Sequence, residues 1–406
     1  MRARIGPEVL AAASDNDPTN VGTAVLVGAQ TGYQLSWAAL LVAPLLAVVL
    51  VISAHVGMTA RADLQSLIRR HHSHGLARLV LVSVVLVNLV TMAADLQAGA
   101  AGLGLLAGVS SRWLVVPLGL ALIGLLLIGR YDEIVAVLRY VLVGFLAFGA
   151  AAALAHPDWA QVLRGSLVPT LSLRPEDLGG ALAILGTTLT SYVYVWETIS
   201  AGVEKPPGHR TAASALAQSR IGAIIGSGFT ALILWFMLVT SAATLGRHHQ
   251  RAVSLPAAAS TLRPLAGPAA ADLFAVGLIA SAVVALPVLM ATTAYVVGAQ
   301  FDWRTGLSER VSQARGFYGI LVASVAIAAA ADLAGVSLLD TLVAASVIGG
   351  LGTPLPMVML VRLARNRQAM GGKLISVRLA AAGWAIAVGV GGLGLLYAIA
   401  ALLGVF

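Results

Sequence analysis

The chain has 406 residues, of which 59% are hydrophobic and only 10% are charged, and its mean hydropathy is +0.92. In soluble domains about a quarter of all residues are charged, so this composition excludes a water-soluble globular protein. The absence of cysteine excludes disulfides, zinc–thiolate sites and a cysteine nucleophile. The net charge of +8 does not indicate nucleic-acid binding, because the basic residues lie in loops between apolar segments.

Apolar windows of about twenty residues match the thickness of a bilayer core and predict an all-α integral membrane protein with about eleven transmembrane helices. The windows cover residues 7–32, 35–58, 77–108, 112–129, 133–155, 178–203, 212–245, 269–300, 316–334, 337–363 and 378–404. Arg2 and Arg4 precede the first window, which contains Pro18 and two aspartates instead of a small-residue cleavage site. It is therefore interpreted as the first span and not as a signal peptide.

The distribution of basic residues predicts the orientation. With a cytoplasmic N-terminus, the inner segments contain 18 of the 25 Lys and Arg residues and the outer segments contain six. Arg139 lies within the fifth span. Because cytoplasmic loops carry the excess of Lys and Arg, the sequence predicts a bacterial cytoplasmic (inner) membrane protein with its N-terminus inside and its C-terminus outside.

A polar segment interrupts the first span. It reads Ala13-Ser14-Asp15-Asn16-Asp17-Pro18-Thr19-Asn20. Proline has no backbone donor and clashes with the preceding turn, so the helix is predicted to open there. Unwound backbone at membrane depth persists only where it lines protein or a watery cavity. The alternative is a proline kink with solvated acids at an early helix end, which is disfavoured because about a dozen apolar residues follow.

The sixth span contains a second polar segment. It reads Gly186-Thr187-Thr188-Leu189-Thr190-Ser191-Tyr192-Val193-Tyr194-Val195-Trp196-Glu197. In a continuous helix, Thr187, Thr190 and Glu197 would lie near one face. The segment is interpreted as a second interruption, and the alternative is a polar seam that packs against other helices.

The two interruptions stand five spans apart, at corresponding places in the two halves of the chain. Such a pair is typical of an inverted-repeat transporter with its binding site at the bilayer midplane. The sequence therefore predicts one transmembrane transporter domain over residues 1–406. Its repeats would cover about 7–155 and 178–363, with an additional helix at about 378–404.

The third span carries a polar stripe of Asn88, Thr91 and Asp95 on an otherwise apolar helix. Asn88 and Asp95, together with Arg139 of the fifth span, are candidates for an ion or proton pathway. A structural role for Asp95, in which it pairs with Arg139 or with groups at a helix end, is equally compatible with the sequence.

The two interruptions favour a cationic substrate, because Asp15, Asp17 and Glu197 make their field negative. Oxygens of Asp, Asn and Thr together with free carbonyls suit hard ions such as Mg²⁺, Mn²⁺ or Ca²⁺. Neither interruption contains Cys, Met or His, which disfavours a soft metal or zinc. No membrane-embedded nucleophile or hydrolase constellation is present, so no enzyme activity is predicted.

The first span resembles that of the NRAMP metal-transporter family, which has an Asp-Pro-Gly-Asn signature there. The resemblance lies in Gly6-Pro7, Asp17-Pro18-Thr19-Asn20 and Gly28-Ala29-Gln30-Thr31-Gly32-Tyr33. The runs Met92-Ala93-Ala94-Asp95-Leu96, Pro157-Asp158-Trp159 and Val168-Pro169 are also similar. The resemblance implies a leucine-transporter-like 5+5 inverted repeat plus one helix, with spans 1 and 6 broken, and divalent-metal transport.

The resemblance also implies site residues. Asp17 and Asn20 would be metal ligands, with Thr187 and Ser14 as candidates for a backbone carbonyl ligand. The family has Met-Pro-His in the sixth span, where this chain has Thr190-Ser191-Tyr192, and Glu197 stands at the second histidine position. Ala98 replaces a third-span carboxylate. These departures resemble the NRAMP-related magnesium-transporter branch, although Ser191 and Glu197 differ from that branch as well.

We therefore expect a secondary transporter that imports a hard divalent cation, Mg²⁺ or Mn²⁺, without a cofactor. Asp17, Asn20, Thr187 and Thr190 would be its ligands, and Asp15, Tyr192 and Glu197 would line the pathway. The alternative is an ion-coupled carrier of an amino acid or organic cation on the same fold, in which Tyr192, Tyr194 and Trp196 stack on or cage the substrate. The expected partners are the metal ion and membrane lipid but no nucleic acid. A monomer is compatible with the sequence, which determines no oligomeric state.

Overall fold

The structure is a computed structural model that describes residues 7–129, 131–172, 174–204, 212–246 and 268–402. Helices in the described ranges form eleven spans in the predicted order. Spans 1 to 5 are Pro7–Ser14 with Pro18–Thr31, Ser36–Ala60, His74–Ala107, Arg112–Ile128, and Tyr131–Val141 with Leu142–Phe145 and Leu146–Leu154. Span 6 comprises Pro175–Thr188, Ser191–Ile199 and Ser200–Glu204. Spans 7 to 11 are Ala212–Ser241 with Ala242–Gly246, Pro268–Gln300, Arg315–Leu333, Leu338–Gly352 with Pro354–Ala364, and Val377–Leu402.

Nine of these segments are long and apolar enough to cross a bilayer, as judged within the described ranges. The remaining two are span 4, an apolar helix of 17 residues, and span 1, which is divided into pieces of 8 and 14 residues. Both predicted interruptions are therefore present as real breaks of helices. We call the halves 1a (Pro7–Ser14), 1b (Pro18–Thr31), 6a (Pro175–Thr188) and 6b (Ser191–Ile199).

Short helices also lie between the spans, where the hydropathy pattern indicates only loops. They are Leu64–His71 between spans 2 and 3, Trp159–Leu167 between spans 5 and 6, and Arg367–Met370 between spans 10 and 11. The first is capped by the Asp63 carboxylate, which accepts from the Ser66 amide at 2.8 Å. It is tied to the loop after span 8 by the ion pair of Arg69 with Asp302.

Packing between spans follows the division of the chain into two halves. Span 3 packs along span 8 and span 2 packs along span 7, so partners five spans apart in sequence lie side by side. Helix 1a contacts 6b, and 1b contacts 6a. Because each half of span 1 contacts the opposite half of span 6, the two breaks meet in the interior and are buried among other spans.

Spans 2 and 6 approach each other backbone to backbone at the end of 6b and just beyond it. A Cβ atom added to Gly57 would lie 2.6 Å from the Thr198 carbonyl oxygen, and one added to Gly202 would lie 2.7 Å from the Gly57 carbonyl oxygen. The Leu64 amide also donates to the Thr198 hydroxyl at 3.1 Å. Only a residue without a side chain fits at such a contact, as at other close crossings of membrane helices.

We expect Gly57→Ala to destabilise the protein by about 1–3 kcal/mol, because the added methyl group must push two helix backbones apart. The measurement is thermal unfolding of the purified protein in detergent. Gly319→Ala is the matched control, since a Cβ atom there meets nothing within 4 Å. Equal stability of the two variants would contradict the tight crossing.

Candidate functional site

The break in span 1 is three residues long and ends at a helix cap. Helix 1a stops at Ser14, and Asp17 adopts an extended conformation with φ −64° and ψ 160°. Pro18 then occupies the first helical position, where its missing N–H costs nothing and its fixed φ suits the helix. One oxygen of Asp17, Oδ1, accepts from the Asn20 amide at 2.7 Å. Asp17 is therefore the N-cap of helix 1b, a position at which a side-chain oxygen commonly accepts from a free backbone amide.

The break in span 6 lies at Leu189 and Thr190. Helix 6a ends at Thr188, Leu189 has φ −103° and ψ 40°, and the extended Thr190 precedes helix 6b. The predicted interruption of span 6 is therefore confirmed, and the alternative of a polar seam on one continuous helix is wrong, because the break separates Thr187 from Thr190. The last four carbonyls of 6a have no intrahelical donors.

Hydrogen bonds connect the two breaks directly. The Tyr192 hydroxyl lies 2.6 Å from the Ser14 carbonyl oxygen and 3.0 Å from Asp17 Oδ2. The Thr190 hydroxyl donates to Asp15 Oδ1 at 3.2 Å. The structure thus brings together five of the predicted residues around the end of helix 1a.

Asn20 joins the two breaks at the start of helix 1b. Its Nδ2 donates to the Asp15 carbonyl oxygen at 2.8 Å. Its Oδ1 lies 3.2 Å from the Thr187 hydroxyl and 3.1 Å from the Thr188 hydroxyl. Each of these hydroxyls also faces a carbonyl of its own helix, that of Ala183 or that of Ile184. Since a hydroxyl has one proton, both threonines keep lone pairs that are available to another ligand.

The site is closed to solvent in this conformation. Seven predicted residues around the breaks are at most 4% exposed, namely Ser14, Asp15, Asp17, Asn20, Thr187, Thr190 and Tyr192. Asp15 Oδ2 is buried and has no hydrogen-bond partner. Buried polar atoms usually have partners, so an unpaired carboxylate oxygen here indicates a place for a ligand, an ion or water.

Asp95 contacts a helix end, as the structural alternative describes. Its Oδ1 accepts from the Thr19 amide at 3.1 Å and from the Thr19 hydroxyl at 3.0 Å. Two carboxylates, Asp17 and Asp95, therefore lie at the N-terminus of helix 1b, where the helix dipole favours negative charge. The second oxygen of Asp95, Oδ2, is buried without a partner.

The other predicted pathway residues lie outside this hydrogen-bonded centre. Asn88 Nδ2 donates to the Thr293 hydroxyl of span 8 at 3.0 Å and connects two packed spans. Glu197 is fully buried in helix 6b, two turns beyond the break. The side chain of Arg139 lies outside the described part of the structure.

Three residues that contact the breaks are absent from the predicted site. They are Thr188, Asn16 and Ser281. Thr188 follows Thr187 and its hydroxyl reaches the same amide oxygen, so the tandem threonines were the available signal. Asn16 lies within the first break, and both atoms of its side-chain amide are buried without partners. Ser281 of span 8 donates to the Asn16 carbonyl oxygen, and nothing in its apolar sequence context indicates this contact.

Only oxygen ligands are available at the breaks, apart from the amide nitrogens of two asparagines. Within the described ranges, no group of three or more His, Cys, Asp or Glu side chains comes together as a metal cluster. A cation bound between the breaks would therefore depend on Asp17 together with amide, hydroxyl and backbone carbonyl oxygens. Such a set matches hard cations, which prefer carboxylate, carbonyl and water ligands.

Comparisons with known proteins agree with this geometry. The family model "Natural resistance-associated macrophage protein-like", named Nramp, matches residues 8–400. The divalent metal cation transporter MntH of Deinococcus radiodurans is 30% identical over 392 residues, which cover 95% of this chain and 86% of that protein.

Solved structures show the same fold. A crystal structure of a mutant of the Eremococcus coleocola manganese transporter has a TM-score of 0.79 at 22% identity and covers 99% of this chain and 88% of that one. Mhp1 in an inward-facing conformation has a TM-score of 0.57 at 14% identity, with 97% and 91% covered. These matches confirm the leucine-transporter-like arrangement of an integral membrane protein with spans 1 and 6 broken.

The family model thus matches nearly the whole chain, and one relative is 30% identical to it. The two facing helix breaks agree with both findings. The chain belongs to the Nramp family.

Proposed function

We propose that this protein is a secondary transporter that carries a hard divalent cation, Mn²⁺ or Mg²⁺, inward across the bacterial cytoplasmic membrane. The observation that carries the proposal is the buried all-oxygen junction of the two breaks, where Asp17 meets Tyr192, and Asn20 meets Thr187. Membership of the Nramp family supports a metal cation over the alternative of an organic cation or amino acid. The names of the MntH relative and of the manganese transporter point in the same direction.

The charge of the site supports a divalent substrate. Asp15, Asp17 and Asp95 are each at most 1% exposed, and no Lys or Arg side chain of the described residues forms an ion pair with them. Buried carboxylates without a counter-charge are costly, because burial removes their hydration. A divalent cation between the breaks would supply the missing positive charge.

Asp17 and Asn20 would be the side-chain ligands from span 1, and the Ser14 carbonyl would be a backbone ligand. Thr187 and Thr190 would add oxygens from span 6. Since Thr190 stands where the family has methionine, the site offers no soft sulfur ligand. Mg²⁺ dehydrates reluctantly and keeps several waters, so a site with few protein ligands suits it.

Transport would follow from movement of the two breaks relative to the surrounding spans. Alternating access on this type of fold is largely a rocking of one group of helices around a fixed site. A membrane potential that is negative inside favours entry of a divalent ion by about 4–5 kcal/mol per 100 mV. Ala98 lacks the carboxylate that the family has in the third span, so the proposal contains no obligatory proton step.

Asp17→Asn is expected to abolish or strongly weaken binding of Mn²⁺ and Mg²⁺, because it removes the charge while Asn still caps helix 1b. Isothermal titration calorimetry on the purified protein measures this effect, and uptake into proteoliposomes shows its consequence for transport. Asp63→Asn is the matched control, since Asp63 is also a helix-capping carboxylate. If both variants bind metal like the wild type, Asp17 is not a ligand.

Tyr192→Phe is expected to raise metal affinity by roughly tenfold, because the hydroxyl occupies the Ser14 and Asp17 oxygens in the metal-free state and must be displaced. Tyr194→Phe on the same half-helix is the control, since that hydroxyl donates to the Thr353 carbonyl oxygen at 2.7 Å. Calorimetry with Mn²⁺ compares the two variants. Weaker binding by Tyr192→Phe alone would mean that the hydroxyl is itself a metal ligand.

Thr190→Met is expected to shift selectivity toward soft cations, because a thioether replaces a hydroxyl beside the first break. The measured quantity is the ratio of Cd²⁺ to Mn²⁺ affinity within one variant, which cancels general effects on folding. This ratio should increase relative to the wild type. An unchanged ratio, with both ions still bound, would place Thr190 outside the coordination sphere.

A further inference from the structure

A small cavity lies between spans 2, 7 and 11, and none of its lining residues belongs to the two helix breaks. Its volume is about 60 Å³, which is several times the roughly 10–15 Å³ that one water molecule needs, so a small ligand group fits. His55 of span 2, Ser219 and Arg220 of span 7, and Ser376 and Leu379 at the start of span 11 contribute to its wall. The proposed function gives these residues no role.

The polar groups of this cavity are hydrogen-bond donors. Ser219 is 2% exposed, and its hydroxyl is buried without a partner. A serine inside a helix commonly donates to the carbonyl one turn earlier, so this unused hydroxyl requires another acceptor. The Ser376 hydroxyl oxygen accepts from the Leu379 amide at 3.2 Å, which leaves its own proton for a ligand.

Positive charge surrounds the same space. Arg220 is exposed at its edge, and no carboxylate of the described residues pairs with it. His55 Nε2 lies 2.8 Å from the Lys373 carbonyl oxygen, to which it donates a hydrogen bond. The first turn of span 11 adds the positive end of a helix dipole. A guanidinium, two hydroxyl donors and a helix start together favour an anion with several oxygens.

The mouth of the cavity lies at the boundary between the lipid-facing surface and the aqueous surface. Along the exposed face of span 7, Ser214 and Gln218 precede Arg220, whereas Ile221 and Ile224 after it are 60% and 62% exposed. Trp384 of span 11 is 38% exposed one turn beyond Leu379, and tryptophan is typical of the headgroup level. Polar side chains thus give way to lipid-facing ones at Arg220 itself.

We propose that this cavity binds the phosphate of an anionic phospholipid. The phosphate oxygens accept from Arg220, Ser219 and Ser376, while the acyl chains lie along the exposed isoleucines of span 7. A free phosphate ion offers the same oxygens, but the position of the cavity beside lipid-facing side chains favours a phosphate that carries acyl chains. Basic pockets between helices at the cytoplasmic interface are the usual sites of anionic headgroups.

The test is thermal unfolding of the purified full-length protein in neutral detergent with increasing phosphatidylglycerol. The lipid should raise the unfolding temperature of the wild type. Arg220→Gln should require roughly tenfold more lipid for the same shift, because one charge-assisted contact is lost. Ser219→Ala should weaken the response in the same direction. Arg220 is exposed, so its replacement leaves the packed interior intact.

Three comparisons decide the result. Arg78→Gln removes an exposed arginine at the same end of the molecule, outside the cavity, and should respond like the wild type. An equal response of Arg220→Gln and Arg78→Gln would overturn the site, and an equal effect of phosphatidylcholine would overturn the preference for an anionic lipid. A shift with inorganic phosphate and none with phosphatidylglycerol would assign the cavity to a free anion and overturn the lipid.

Discussion

The contact between the two helix breaks is the constraint on which the rest of this structure depends. Each break leaves backbone donors and acceptors without helical partners in the interior of a membrane protein, where water does not reach them freely. The breaks satisfy one another through the Tyr192 hydroxyl on the Ser14 carbonyl and through Asn20, which connects both spans. The surrounding spans pack as pairs that lie five apart in sequence, and this arrangement holds the breaks face to face.

The same contact concentrates negative charge where the membrane protein has little means of stabilising it. Asp17 and Asp95 both lie at the start of helix 1b, so the helix dipole offsets part of their burial. Asp15 retains an oxygen without a partner. The site is therefore stable enough to fold and still short of positive charge, which is the condition that a transported cation requires. If the site already contained a balancing positive charge, the folded state would be stabilised, but the site would not attract a cation.

Much of the fold could be predicted, because long apolar runs leave few options in a bilayer. All eleven spans and both breaks lie where hydropathy, Pro18 and the two polar segments place them. The break between Thr188 and Ser191 was harder to locate, since that segment contains no proline and also suits a continuous helix. The role of Asp95 was undecided for another reason: its partner, Thr19, is 76 residues away in the chain. The repeat boundaries at 7–155 and 178–363 stay a prediction.

The sequence by itself determined that the chain crosses a membrane, that spans 1 and 6 are interrupted, and that the interruptions carry oxygen-bearing side chains. These properties depend on composition and on local backbone chemistry, both of which are readable along the chain. Only the tertiary structure decided which oxygens meet. Tyr192 reaches Ser14 and Asp17, Thr188 joins Asn20, and Ser281 supports the first break because distant helices pack side by side. Contacts between residues far apart in sequence depend on how the helices pack, and the sequence of one apolar helix does not show which helix packs against it.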